Sequence, residues 1–152
     1  MKKVTRDISR RSMANNIPSV FVDTDVCLDL LSARKPFNAN AERLFTLADL
    51  KQIRIYVSAL SFANIDYILR SQYKRDDSRR ILAKFKTLVS VLPVGESEIA
   101  RAIASEFADF EDAIQYYTAV EHKIPVLITR NVRDYRKSEI QVMRPEAFLS
   151  GR

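Results

Sequence analysis

The sequence predicts an α/β fold: a single domain with a small, mostly parallel sheet of four or five strands covered by helices on both faces. Three observations predict it. Short β-branched, apolar runs alternate with stretches of helical period along the chain. Two of those runs, at residues 18–23 and 125–129, end abruptly on polar side chains, as strands do where an open sheet presents ligand groups beyond its C-terminal edge. Glycine occurs only at Gly95 and Gly151, which implies few turns and largely helical content.

The first strand, 18–23, ends on Asp23, and a helix runs from Asp25 to Ala33 before Lys35-Pro36 breaks it. Residues 38–52 set Ala41, Leu44, Phe45 and Ala48 on one helical face. A second strand spans 53–57, and Ser58 caps a helix reaching Tyr73. Asp77 or Ser78 opens another helix, with Ile81, Phe85 and Leu88 on one side. Residues 90–94 read as a short strand that Pro93 places near an edge. Helices follow over 96–107 and 110–122. A buried-type strand covers 125–129, and a last short strand covers 141–143 before Pro145 opens a terminal helical turn.

Composition bounds the function. The 152 residues, 47% apolar and 29% charged, fit a soluble globular domain with a real core and argue against disorder. No apolar run approaches the ~18 residues of a membrane span, and the first 20 residues carry no secretory h-region. A lone Cys27 cannot form an internal disulfide, which fits a reducing cytoplasm, and it reads as a small core residue rather than a nucleophile. The formal charge of +6 is concentrated at the start, where residues 1–12 alone carry +4. Residues 1–17 therefore read as a basic leader ahead of a domain over 18–152. The leader is either a flexible arm or a stretch upstream of a start at Met13, and composition leaves both open. A local patch, Lys74-Arg75-Asp76-Asp77-Ser78-Arg79-Arg80, reads first as a solvated loop and second as a phosphate contact.

The acids carry the chemistry. Asp109 sits where an N-cap belongs and Asp112 at the third helical position, so both have an ordinary role in satisfying the helix start. Asp112, however, precedes small and apolar residues that should pack inward. Thr129, Asn131 and Asp134 repeat the pattern of Asp23 at a second strand end. Asn64 lies on an apolar helix face, where its amide needs a partner. Asp66, roughly 200° around that helix, reads as solvent-facing. Carboxylates gathered at one point either share a proton or hold a cation, and oxygen-only ligands favour Mg²⁺ or Mn²⁺ over zinc. The one histidine, His122, stands at a helix end where it suits the dipole. One His and one Cys support neither a zinc site nor a Cys–His or Ser–His mechanism.

Over residues 18–149 the chain resembles the PIN-domain family, in the branch of small bacterial proteins related to the ribonuclease toxins of toxin–antitoxin pairs. The likeness lies in four elements in order: Phe21-Val22-Asp23-Thr24-Asp25-Val26; Ser58-Ala59-Leu60 through Asn64 to Tyr67-Ile68-Leu69; Asp109-Phe110-Glu111-Asp112-Ala113-Ile114-Gln115; and Thr129-Arg130-Asn131 with Asp134-Tyr135. It implies a three-layer, Rossmann-like domain, an Mg²⁺- or Mn²⁺-dependent endoribonuclease, an RNA substrate, an antitoxin partner and a homodimer. It assigns Asp23 and Asp112 as catalytic metal carriers, with Asn64, Asp109, Asn131 and Asp134 completing or orienting the site. The family's second acid, usually glutamate, falls on Asn64, which removes one negative charge; Asp25 stands where Asn is more usual. Thr129, Arg130, Arg133, Lys74 and Arg75 become the expected nucleic-acid contacts, with Thr129 also in reach of a water on the metal. Two alternatives stay open. The Asn64 departure suits a PIN fold that binds nucleic acid without cutting it. Asp23-Thr24-Asp25-Val26 mimics the opening motif of haloacid-dehalogenase-type phosphatases, although the chain is short for them and lacks their late Gly-rich acidic loop.

Overall fold

β1 (Ser19–Val22) is the central strand of a five-stranded, all-parallel sheet in the order β3-β2-β1-β4-β5. The other strands are β2 (Arg54–Ser58), β3 (Val89–Leu92), β4 (Val126–Ile128) and β5 (Gln141–Met143). This computed structural model describes residues 16–152, so nearly all of the basic leader expected over 1–17 lies outside the described residues. Parallel neighbours require crossovers. Helices α1 (Thr24–Leu31) and α2 (Asn38–Asp49) join β1 to β2, α3 (Ala59–Leu69) and α4 (Arg75–Lys86) join β2 to β3, and α5 (Glu96–Ala104) and α6 (Phe110–Glu121) join β3 to β4. A 3₁₀ turn, Val132–Tyr135, leads to β5, and α7 (Pro145–Ser150) follows.

The two-residue period of the strands divides the core into two faces. Val20, Val22, Ile55, Val57 and Ile128 point to one side, into a cluster with Val26, Leu28, Leu44, Phe45, Ile65, Phe85 and Phe148. Phe21, Tyr56 and Leu127 point to the other, against Tyr116, Ala119 and Tyr135. The three layers are thus α1, α2, α3, α4 and α7; the sheet; and α5, α6 and the 3₁₀ turn. In the first outer layer Phe85 meets Phe45 and Phe62 at centroid distances of 5.5 and 5.6 Å, favourable tilted aromatic contacts.

Every expected element forms, with shifted ends. The second helix stops at Asp49 rather than 52, the third at Leu69 rather than 73, the fifth at Ala104 rather than 107, and α4 opens at Arg75 rather than 77. β3 does lie at a sheet edge, but it ends at Leu92, ahead of Pro93. Part of the difference is termination without glycine. Helices α1, α2 and α6 each close with a residue in the left-handed region: Ala33 (φ 48°), Lys51 (φ 59°) and Lys123 (φ 57°). In each case the paired bonds of a Schellman motif form, as in Lys123 N–H to the Val120 carbonyl at 3.0 Å and Ile124 N–H to Ala119 at 2.9 Å. Glycine scarcity therefore marks strained helix ends here, not few turns.

Candidate functional site

From β1 the chain moves outward to β2 and β3, then returns to β4 on the other side of β1. The order reverses at β1, and the crevice at such a switch point, beyond the strand C-termini, is the natural ligand site of an open sheet. Val22 pairs with Ile128, so the next residues, Asp23 and Thr129, stand side by side there.

Asp23 directly follows β1 and is the N-cap of α1. Its Oδ1 accepts the Thr24 N–H at 2.7 Å, and its Oδ2 accepts the Thr129 hydroxyl at 2.9 Å. Only 4% of its surface is exposed. Burial, then the Asp112 charge, pushes its carboxyl up to about 7, against the opposing pull of the Thr129 hydrogen bond. Asp112 enters from the first turn of α6 and is likewise pushed up, to about 6, by burial and then by Asp109, Asp134 and Glu111. The buried Tyr135 hydroxyl, which finds no partner of strict hydrogen-bond geometry among the described residues, faces Asp112 and draws it partly back.

A cavity of about 420 Å³ opens between these groups. Its walls bring together Asp23, Asn64, Asp109, Asp112, Asn131 and Asp134, six of the residues expected from sequence. Asn131 and Asp134 both face it, from the two ends of the short turn after β4. Asp25 and Glu111 also line it, which makes six carboxylates and, among the described residues, no lysine or arginine on the walls. Asp109 keeps its capping role, Oδ1 accepting the Asp112 N–H at 2.9 Å. Among the described residues no three Asp, Glu, His or Cys side chains sit close enough to form a complete ligand set by themselves. The donors fit a hard cation that retains water: Mg²⁺ is commonly held by one or two carboxylates, the remaining positions going to water and substrate phosphate.

Three sequence expectations are corrected, those for Thr129, Arg130 and Asp66. Thr129 is fully buried, its hydroxyl donating to Asp23 and accepting the Asn131 N–H at 3.1 Å, so it positions the carboxylate and does not face RNA. Arg130 is not available to a phosphate either. Its Nε lies 2.8 Å from Asp29 Oδ2, its Nη2 donates to Oδ1 at 3.2 Å, and its guanidinium stacks 4.0 Å from the Phe37 ring centroid. Asp29 is 1% exposed, and that burial demands a partner. Asp66, half-buried, accepts the buried Ser78 hydroxyl at 2.9 Å, which ties α3 to α4, so it is only partly open to solvent. Lys74 and Arg75 are exposed but lie off the cavity wall, with Arg75 paired to Asp76. Arg133 is exposed and lines a neighbouring cavity.

Sequence reasoning missed the brace behind the acids. Gln115 is fully buried. Its amide donates to Ser61 at 2.7 Å and to Thr24 at 3.0 Å, and its carbonyl accepts the Ser58 hydroxyl at 2.6 Å. One side chain thereby locks α6 to the starts of α1 and α3, the three helices that carry Asp112, Asp23 and Asn64. The available signal was spacing: Gln115 is three residues after Asp112, on the same helical face. Tyr67, three residues after Asn64, is 81% exposed on the cavity wall and was missed for the same reason.

Solved structures share this architecture. DNA-bound VapBC from Salmonella typhimurium aligns at 17% identity and TM-score 0.66, covering 84% of this chain and 98% of that one. VapBC2 from Rickettsia felis, bound to a promoter DNA fragment, aligns at 14% and 0.63, covering 83% and 98%. The Mycobacterium tuberculosis toxin VapC20, described as cleaving the sarcin–ricin loop, aligns at 19% and 0.58, covering 71% and 86%. No curated protein sequence matches significantly. A family profile described as the PIN domain matches residues 19–133, and the chain is therefore a member of the PIN domain family.

Proposed function

We propose that this protein is a metal-dependent endoribonuclease of the toxin type, cutting an RNA phosphodiester at the cavity bounded by Asp23 and Asp112. The observation that carries the reading is electrostatic. Among the described residues, six carboxylates without a single basic residue line that cavity, and such a group repels itself and any phosphate unless a divalent cation sits among them. Asp23 and Asp112 would hold the cation, with Asn64, Asp109, Asn131 and Asp134 around it. A bound Mg²⁺ or Mn²⁺ supplies Lewis acidity and a water of lowered pKa. Thr129 and the Thr24 N–H fix the Asp23 carboxylate, and the Gln115 brace fixes α6 and hence Asp112. Attraction for the RNA backbone comes from outside the cavity, with Arg133 the nearest expected contact and Lys74 and Arg75 farther along the surface.

The partner we propose is an antitoxin, because structurally similar chains were solved as VapBC assemblies; a homodimer and a cytoplasmic site of action belong to the same reading. Among the described residues no helix is long and apolar enough to cross a membrane. The phosphatase alternative loses support because the matching family is a different one and Asp25 is drawn toward Arg34 at 3.8 Å. A fluorescent single-stranded RNA tests the proposal. Wild type should cleave it in Mn²⁺ and not in EDTA, and Asp23→Asn and Asp112→Asn should lose cleavage while keeping the wild-type circular dichroism. Undiminished cleavage by either variant rejects the site, and RNA binding without metal-stimulated cleavage favours the binding-module reading.

A further inference from the structure

A second cavity, of about 730 Å³, adjoins the acidic one, and Asp134 lines both. Its character differs. Phe107, Tyr116 and Tyr117 supply an aromatic floor, and Arg133, Arg136 and Lys137 stand along its wall with Glu106 and Glu139. The floor is rigid. Phe107 packs 5.3 Å from Tyr116 and 5.6 Å from Tyr135, and the Tyr116 hydroxyl accepts the Glu139 N–H at 2.8 Å. Arg101 already covers the Tyr117 ring at 4.7 Å and Tyr116 is buried, so half-buried Phe107 is the aromatic of this floor left for a ligand to meet. Lys137 is paired with Glu106. Among the described residues neither Arg133 nor Arg136 joins an ion pair.

We infer that this aromatic, arginine-walled cavity receives one unpaired nucleobase of the RNA strand whose phosphate occupies the acidic cavity. The inference rests on the nuclease reading. A stacking face beside cations is the chemistry that holds single-stranded nucleic acid, and the shared wall at Asp134 puts base site and phosphate site in one continuous path. A base bound there makes cleavage position depend on which nucleotide stacks, so the cavity selects the site of cutting and takes no part in bond breaking.

The test is an abasic scan on the wild-type protein, with oligonucleotides whose linkages are non-hydrolysable methylenephosphonates. A set of single-stranded oligoribonucleotides, each with one abasic position, is titrated by fluorescence anisotropy in Mg²⁺. Removing the base at one position should weaken binding about tenfold, the effect of one lost stack. Ala104 lines the cavity on an exposed helix end, so Ala104→Trp narrows it without replacing a buried residue. That variant should bind the intact oligonucleotide about tenfold more weakly and become indifferent to the abasic replacement, and Arg136→Ala should weaken binding in the same direction. If Ala104→Trp binds and discriminates as its parent does, the inference is overturned, including the case in which the cavity serves a polypeptide. Absence of metal-stimulated cleavage by the unsubstituted protein would instead overturn the nuclease reading, so the two failures are separable.

Discussion

Asp23→Asn should make the metal-free protein more stable at alkaline pH. The carboxyl of Asp23 rises from 3.8 to about 7 on folding. A folded-state value above the unfolded one means that the protonated form favours the fold, and that this contribution disappears as pH climbs from 4 through 7. Once both states are ionised, a rise of that size corresponds to roughly 4 kcal/mol of destabilisation. Asparagine carries no charge, but its single carbonyl cannot accept from both Thr24 and Thr129, which costs about 1 kcal/mol. The variant should therefore exceed wild type by about 2–3 kcal/mol at pH 8 and fall slightly below it near pH 4. Urea unfolding in EDTA at the two pH values measures this. Saturating Mn²⁺ should close that gap at pH 8, because binding at a hundred times Kd adds about 2.7 kcal/mol to the wild type alone. A variant no more stable than wild type at pH 8, or one gaining as much from Mn²⁺, would refute the account of Asp23 as a buried carboxylate awaiting a cation.

Asn64→Glu restores a seventh carboxylate to the cavity wall and should tighten Mn²⁺ binding severalfold in calorimetric titration; equal affinity would show that position 64 does not reach the ion. Arg130→Met leaves Asp29 buried and unpaired, and should cost about 3 kcal/mol of stability at pH 7 by denaturant unfolding. That loss should shrink as pH falls and Asp29 takes up a proton, since burial already raises its pKa; a pH-independent loss would assign the effect to packing against Phe37. Lys123→Gly removes a Cβ from a left-handed position and should raise stability by about 0.5–1 kcal/mol, visible as a higher melting temperature; a lower one would mean that the Lys123 stem packs favourably.

The parts of the site readable from sequence are those fixed by local pattern plus sheet topology. Asp23 ends a β-branched run, Thr129 and Asn131 end another, and a parallel sheet puts both ends on one side. Asp112 stood out because Ala113 and Ile114 had to pack inward, and both are buried. What stayed hidden depends on side chains far apart in sequence. Arg130 looks like a phosphate contact until Asp29, 101 residues earlier, claims it. Gln115 reaches partners 54, 57 and 91 residues away, and no periodicity announces such a hub. Helix ends were misjudged at Lys51 because a left-handed C-terminus is usually marked by glycine, and lysine carries no such mark.

The buried amide of Gln115 has a bearing on metal affinity. Like charges held together would relax if the helix bearing Asp112 slid outward, and the tension would dissipate before any ion arrived. Anchored at three hydroxyls, that helix stays in place, and the repulsion remains stored in the folded chain. On the function proposed above, an incoming cation would relieve a strain already present instead of having to gather scattered ligands, so part of its binding strength would be set when the polypeptide folds.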